Sequence, residues 1–173
     1  MTYFLDFDRT LFDTSAFLAY LIKRENRTDI YDSSETDMAT AFNAAAAAGL
    51  LSFVPGELAQ FMFPDAEAFL DVHQRESVVV TFGNPALQRA KLENVFSSRP
   101  ELNIVYTGEE RKGPFILRLM KEYPAPYSFF DDKPVELASV GSVSSDIALY
   151  EVRRDAAVGS GSYLVLHSFE DLT

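Results

Sequence analysis

Hydrophobic positions fall into two regimes along the chain. Over residues 14–75 they recur at helical spacing, and from Ser77 onward short β-branched or aromatic runs alternate with helical stretches. The chain opens on a short apolar run, Tyr3-Phe4-Leu5, that meets a carboxylate. It reads as a buried strand presenting Asp6 at its C-terminal end. Phe12, Phe17, Leu18, Leu21 and Ile22 predict a helix over residues 12–23, with Thr14 or Ser15 near its start. Residues 24–35 are polar and acidic and read as a loop. A helix is predicted over residues 36–51, because it holds the alanine run Ala44 to Ala48 and then Gly49, a helix-end signal. Pro55-Gly56 and Pro64 interrupt the pattern, and Asp65 is placed to cap a helix through Ala68, Phe69 and Val72.

The second regime predicts strands over residues 78–81, 103–106, 127–130, 147–152 and 163–166. The helices between them open at Asn84-Pro85, Pro114 and Pro134, where proline suits the first helical turn. Strands alternating with helices imply right-handed βαβ units and a parallel sheet covered on both faces. The expected class is therefore α/β, a three-layer α/β/α Rossmann-like core with a helical insertion. Ligands in such sheets sit beyond the carboxyl ends of the strands.

Composition narrows the function classes. Hydrophobic residues make up 47%, with 15 Phe and 8 Tyr, which is enough to fill a sizeable core. The absence of Cys removes disulfides and thiolate metal sites. A reducing cytoplasm fits that, as does export; a cytoplasmic location is the expectation, since no signal-peptide pattern opens the sequence. No run of about 18 uncharged apolar residues occurs, so no membrane span is expected. A net charge of −11 argues against a nucleic-acid groove. A small anionic substrate stays open, because one local cation or metal outweighs a distant field.

Polar residues collect at the predicted strand ends: Asp6 and Asp8, Thr81, Lys112 in the charged loop 108–112, and Asp131 with Asp132. In a parallel sheet these ends share one edge, which brings carboxylates, a hydroxyl and an ammonium into one crevice. Phosphoryl transfer fits that set. A divalent metal screens the repulsion between a carboxylate and a phosphate, and Mg²⁺ takes a few carboxylates plus water and substrate oxygens. A hydroxyl and a lysine hold the remaining phosphate oxygens. A carboxylate nucleophile splits one hard step into two, and an acid two residues along an extended segment can protonate the leaving alcohol.

The string FLDFDRTLFDT resembles the first motif of the haloacid dehalogenase-like (HAD) phosphatases, an apolar strand followed by Asp-x-Asp-x-Thr. VVVTFGN resembles their second motif, the Lys of GEERKGPF the third, and YSFFDDKP the fourth. The resemblance covers residues 1–14 and 77–140, with the four motifs in order. It implies that Asp6 is the nucleophile and a metal ligand, and that Asp8 is the general acid and base with its carbonyl on the metal. It further implies that Thr81, with Phe82 beside it, and Lys112 bind the phosphoryl group, and that Asp131 and Asp132 complete a Mg²⁺ site. Thr10 steadies the turn after Asp8. Residues 1–13 and 76–173 would form the catalytic core, with 14–75 a helical cap that selects a small phosphorylated substrate. The implied activity is a Mg²⁺-dependent phosphomonoester hydrolase acting through an aspartyl-phosphate. The alternatives are a phosphomutase on the same scaffold and a catalytically silent phosphate-binding or interaction domain.

Other residues carry simpler readings. Arg111 and Lys91 are the alternative cations to Lys112. Arg9 reads most simply as a solvated arginine within reach of substrate, and His73 and His167 as structural or surface histidines. Phe53, Phe61, Met62, Phe63 and Phe69 read as cap core before substrate pocket. Asp29, Asp32, Glu35 and Asp37 read as a solvated loop able to act as a lid. Neither substrate identity nor oligomeric state is legible.

Overall fold

A computed structural model describes residues 1–26, 35–155 and 158–172, with the backbone alone for residues 35–39. Six parallel strands form one sheet: β1 (Thr2–Leu5), β2 (Ser77–Thr81), β3 (Asn103–Tyr106), β4 (Tyr127–Asp131), β5 (Ile147–Val152) and β6 (Leu164–Leu166). Their spatial order is β3-β2-β1-β4-β5-β6. The chain builds outward from β1 on one side through β2 and β3, then crosses to β4 and continues the other way. Strand order thus reverses between β1 and β4, the place where an open parallel sheet leaves a crevice at its carboxyl edge. The register pairs Leu5 with Phe130 and Leu5 with Val79, so the ends of the central strands finish level.

Alternating side chains divide the core into two layers. Phe4, Val78, Val80 and Phe129 face α5 (Gly113–Leu119) and α6 (Pro134–Gly141), with Ile116, Leu119, Leu137 and Val140. Leu5, Val79 and Phe130 face the opposite layer. There α3 (Pro64–His73) and α4 (Pro85–Val95) cover the sheet, joined by α1 (Thr14–Arg24), α2 (Glu35–Ala47) and a 3-10 turn at Glu57–Phe61. The three-layer arrangement is the one the alternating pattern predicts.

The segment between α1 and the 3-10 turn is pinched at its base. Phe12 and Met62 form an antiparallel bridge, Asp13 N–H donates to Phe61 O at 2.8 Å, and Phe63 N–H donates to Leu11 O at 3.0 Å. Phe42 and Leu58 nevertheless share one apolar cluster with Leu5 and Val79, so this segment lies against the core and buries part of it.

Four local expectations are corrected. The first helix begins at Thr14, because Phe12 is taken by the bridge to Met62 and Asp13 caps the helix, accepting from Ala16 N–H at 2.9 Å. The helix predicted over 36–51 starts at Glu35 and ends at Ala47. Gly49 at φ 68 closes it, with Gly49 N–H on Ala46 O and Leu50 N–H on Ala45 O. Glu35 and Asp37 therefore belong to α2, while Asp29 and Asp32 lie outside the described residues. Asp65 does not cap α3, which starts at Pro64; its carboxylate accepts from Arg154 Nη1 at 2.6 Å and Phe169 N–H at 2.7 Å, tying α3 to the chain end.

The aromatic cluster is core, as expected. Met62 and Phe69 are buried, and Phe53, Phe61 and Phe63 pack against the same cluster. His73 lies against the Tyr3 and Phe69 rings, and His167 Nδ1 sits 2.9 Å from Arg153 O. Among the described residues no helix is long and apolar enough to cross a membrane.

Candidate active site

Three acids meet at the point where strand order reverses. Asp6 follows β1, and its N–H donates to Phe130 O at 2.9 Å, which locks it beside the end of β4. Asp131 is the last residue of β4 and Asp132 the next. One carboxylate oxygen from each of Asp6, Asp131 and Asp132 lies within 4.8 Å of the others. The Lys112 ammonium donates to Asp6 Oδ1 and, at 2.6 Å, to Asp131 Oδ2. Lys112 and Asp131 are both fully enclosed, at 1% and 0% exposure.

Loop geometry delivers Lys112 to this place. Glu136, buried in the first turn of α6, accepts Lys112 N–H at 3.0 Å and Arg111 Nη1 at 2.6 Å. Lys112 therefore turns inward, and Arg111 stays at the surface. Gly113 lets α5 approach α6, since a Cβ there would meet Ser139 O at 2.4 Å. Glu136 was not singled out in the sequence; an acid two residues after Pro134 reads as an ordinary first-turn residue.

Burial and crowding set the charges. Burial alone would lower the Lys112 ammonium, but Asp131 and Asp6 hold it well above the ordinary lysine range. Burial pushes Asp131 up, Lys112 pulls it back, and the charges of Asp6 and Asp132 add to the rise, which ends at about 7. Asp132 is pushed up to about 6 by burial and by Asp6, against Lys133, Lys112 and Arg9. Lys112 is the one cation bonded into the three-acid cluster, with Lys133 and Arg9 acting on Asp132 from outside it.

Two further buried polar atoms belong to residues at or just past the ends of β2 and β4. Thr81, at the end of β2, is 1% exposed. Its Oγ1 and Asp132 Oδ1 are buried and accept or donate no hydrogen bond among the described residues. Buried polar atoms without partners are uncommon and call for a ligand, ion or water. Thr10 is buried in the turn after Asp8, with its carbonyl held by Arg154 Nη2 at 2.7 Å.

Asp8 sits apart from the acid cluster, under α4. Its Oδ1 accepts from Lys91 Nζ at 2.5 Å and Thr14 Oγ1 at 2.7 Å, and its Oδ2 from Gln88 Nε2 at 2.6 Å. Burial would raise Asp8, but the Lys91 charge and these hydrogen bonds outweigh it and hold the carboxyl below its usual range. Lys91 is 3% exposed and lies over the Phe7, Phe12 and Phe17 rings at 5.4, 5.7 and 5.8 Å. It is the partner of Asp8, whereas Lys112 is that of Asp6. Gln88 and Lys91 lie three residues apart on one helix face, but nothing in that spacing points to Asp8. Gln88 Nε2 also holds Phe82 O at 3.1 Å, and the Phe82 ring lies under the Lys133 ammonium at 5.5 Å.

Two cavities flank this cluster. One of about 540 Å³ is lined by Asp8, Phe17, Asn43, Phe82 and Lys133. The other, of about 420 Å³, is lined by Asp13, Phe63, Arg153 and Arg154. Arg9 and Asp132 line both.

No family model matches the chain, and no curated protein is similar to it in sequence. Solved structures are similar in fold. A Burkholderia xenovorans LB400 protein assigned as a haloacid dehalogenase-like hydrolase superposes with a TM-score of 0.68 at 16% identity, over 99% of this chain and 96% of that one. YfnB of Bacillus subtilis, assigned as a HAD hydrolase and solved bound to magnesium, gives 0.65 at 12% identity, over 99% and 96%. A dehalogenase solved with an intermediate complex gives 0.58 at 14% identity, over 99% and 94%.

Proposed function

We propose that this chain, which has the fold of the haloacid dehalogenase-like hydrolases, is a Mg²⁺-dependent phosphohydrolase that attacks a small phosphomonoester with Asp6. The observation that carries the reading is the cluster of Asp6, Asp131 and Asp132 around one point, with Lys112 bonded to two of them. Three converging carboxylates and the unpartnered Asp132 Oδ1 fit a hard divalent ion. Asp6, Asp131 and Asp132 would hold it through their carboxylates and Asp8 through its carbonyl; when bound, it screens the approach of a phosphate dianion to Asp6.

The chain's own residues then do the following. Lys112 fixes one oxygen of Asp6 and, with Thr81 and Phe82 at the end of β2, binds the phosphoryl group. Asp6 attacks phosphorus and the ester bond breaks; Asp8, a carboxylate accepting from three donors as it stands, gives the departing oxygen a proton only after taking one up in exchange for one of those donors. Water then attacks the aspartyl-phosphate, and Asp8 takes its proton, releasing phosphate. The three donors around Asp8 favour the carboxylate that this second half requires. The described residues between Thr14 and Phe61 serve as the cap, walling the larger cavity with Phe17 and Asn43, whereas α3, beyond the pinch and inside the 14–75 insertion expected from the sequence, covers the sheet. The presence of an acid–base residue at position 8 supports phosphoryl transfer over dehalogenation, which does not use one there.

The experiment is a phosphate-release screen across small phosphomonoesters. Release with Mg²⁺ is expected to exceed release with EDTA by at least about 10²-fold. Equal rates in the two conditions would remove the metal from the reaction.

The raised carboxyls add a pH dependence that can be measured without turnover. Asp131 at about 7 and Asp132 at about 6 carry protons in mildly acidic solution, and a metal must displace them. Mg²⁺ affinity by calorimetric titration is therefore expected to fall as pH drops below neutrality, by about tenfold per pH unit for each proton displaced. An affinity constant between about pH 8 and pH 5.5 contradicts binding at these acids.

A further inference from the structure

Gln88 is 7% exposed and lies early in α4, where the helix entry fixes its backbone. Asn84 Oδ1 accepts from Ala86 N–H at 3.0 Å and Leu87 N–H at 3.3 Å, and Gln88 N–H donates to Asn84 O at 3.0 Å. The side-chain amide is held as firmly. Its Nε2 donates to Asp8 Oδ2 at 2.6 Å and to Phe82 O at 3.1 Å. Both partners are acceptors, so the nitrogen and oxygen of the amide cannot exchange places. Gly83 leaves room for it, since a Cβ there would lie 3.2 Å from Nε2.

This anchoring uses the nitrogen alone. Gln88 Oε1 is buried and has no hydrogen-bond partner among the described residues. An amide oxygen only accepts, and an acceptor buried without a donor is destabilising. Two donors of the same wall, Thr14 Oγ1 and Lys91 Nζ, are given to Asp8. Asp8, Phe82 and Gly83, the residues around the amide, line the cavity of about 540 Å³ together with Gln88. The amide therefore stands in the wall of that cavity, where a bound molecule can bring the missing donor.

The chemistry says where on that molecule the donor belongs. In the phosphohydrolase reading Asp8 exchanges a proton with the departing oxygen, and Oε1 belongs to the amide bonded to Asp8. An acceptor one amide group away from Asp8 lies near the first atoms beyond the ester oxygen. The donor that matches it is a hydroxyl or amino group on the carbon next to the ester carbon.

We propose that Gln88 is a specificity-determining residue whose Oε1 accepts a hydrogen bond from a hydroxyl or amino group adjacent to the ester carbon of the substrate. The proposal rests on the phosphohydrolase reading and narrows its substrate class to phosphomonoesters of diols, polyols and amino alcohols.

The test measures kcat/KM with Mg²⁺ for three esters of nearly equal size: ethylene glycol monophosphate, ethanolamine phosphate, and n-propyl phosphate, which has a methyl group in place of the donor. Phenyl phosphate reports hydrolysis itself. Wild type is expected to favour at least one donor-bearing ester over n-propyl phosphate by about tenfold or more, because a site with a buried acceptor rejects the analogue that leaves it unpaired. Gln88→Met keeps a straight apolar stem and removes the oxygen, and is expected to lower that ratio about tenfold. Gln88→Leu serves the same comparison should the methionine variant not fold. Loss of the Nε2 bond to Asp8 slows every ester and cancels in the ratio, as does any difference in intrinsic leaving ability. The ester that responds tells a hydroxyl from an amine. A ratio unchanged by the substitution overturns the assignment, whether or not turnover falls. Wild type that hydrolyses phenyl phosphate but prefers neither donor-bearing ester overturns it as well, and leaves Oε1 to a water molecule. Wild type inert on every ester removes the phosphohydrolase reading, and the assignment with it.

Discussion

Asp6→Asn is expected to lower phosphate release on the order of 10⁴-fold or more, as loss of a covalent nucleophile does in other hydrolases. The substitution keeps the shape of the side chain and an acceptor oxygen for Lys112, but an amide does not attack phosphorus. The fold should survive it. Lys112 keeps its 2.6 Å bond to Asp131, so no ammonium is left buried without a partner. The charge of Asp6 helps push Asp131 and Asp132 up, so its removal relieves like-charge crowding and offsets the lost ion pair. Urea unfolding should therefore place the variant close to wild type, separating a chemical defect from a folding one. Near-normal turnover by folded Asp6→Asn would end the nucleophile assignment.

The acid cluster was legible because its signals are local and the topology is regular. Each strand is an apolar run that stops at a polar residue, and parallel βαβ connections bring those stops to one edge. The convergence of Asp6, Lys112, Asp131 and Asp132 could thus be read from their places in the chain. The surroundings of Asp8 could not. Lys91 and Gln88 are separated from it by about eighty residues and reach it only because α4 packs over the turn after β1. A lysine on a buried helix face has no pattern of its own, since its worth depends on what stands opposite. Asp65 misled for a related reason. Its position near Pro64 is a capping position by sequence, but Arg154 and Phe169, brought up by the chain end, compete for the carboxylate and win. The start of α1 shifted because Phe12 satisfies its backbone across a bridge to Met62, a non-local pairing that helical periodicity does not register.

Lys112→Met should show the largest change in stability. Lys112 is 1% exposed and pairs with Asp131, which is 0% exposed. Removing one partner of such a pair leaves a buried charge uncompensated, at a cost of about 3–5 kcal/mol. For a chain of this length that corresponds to a fall in Tm of about 6–20 °C. The pH dependence identifies the cause. The Lys112 pKa is raised in the fold, so its contribution is fully present below the ordinary lysine value and is lost only at pH above it. Asp131 behaves in the opposite way: its folded pKa is raised to about 7, so the native state holds a proton that the unfolded chain has released, and stability declines as pH rises through that window. Without Lys112 that rise loses its main restraint. The deficit of the variant, measured with chelator present, should be greatest near pH 8 and shrink toward pH 5 as Asp131 and Asp132 take up protons. A deficit that stays constant between those values would assign the loss to packing of the lysine stem and not to its charge. A variant as stable as wild type throughout would show that the ammonium does not hold the acids together.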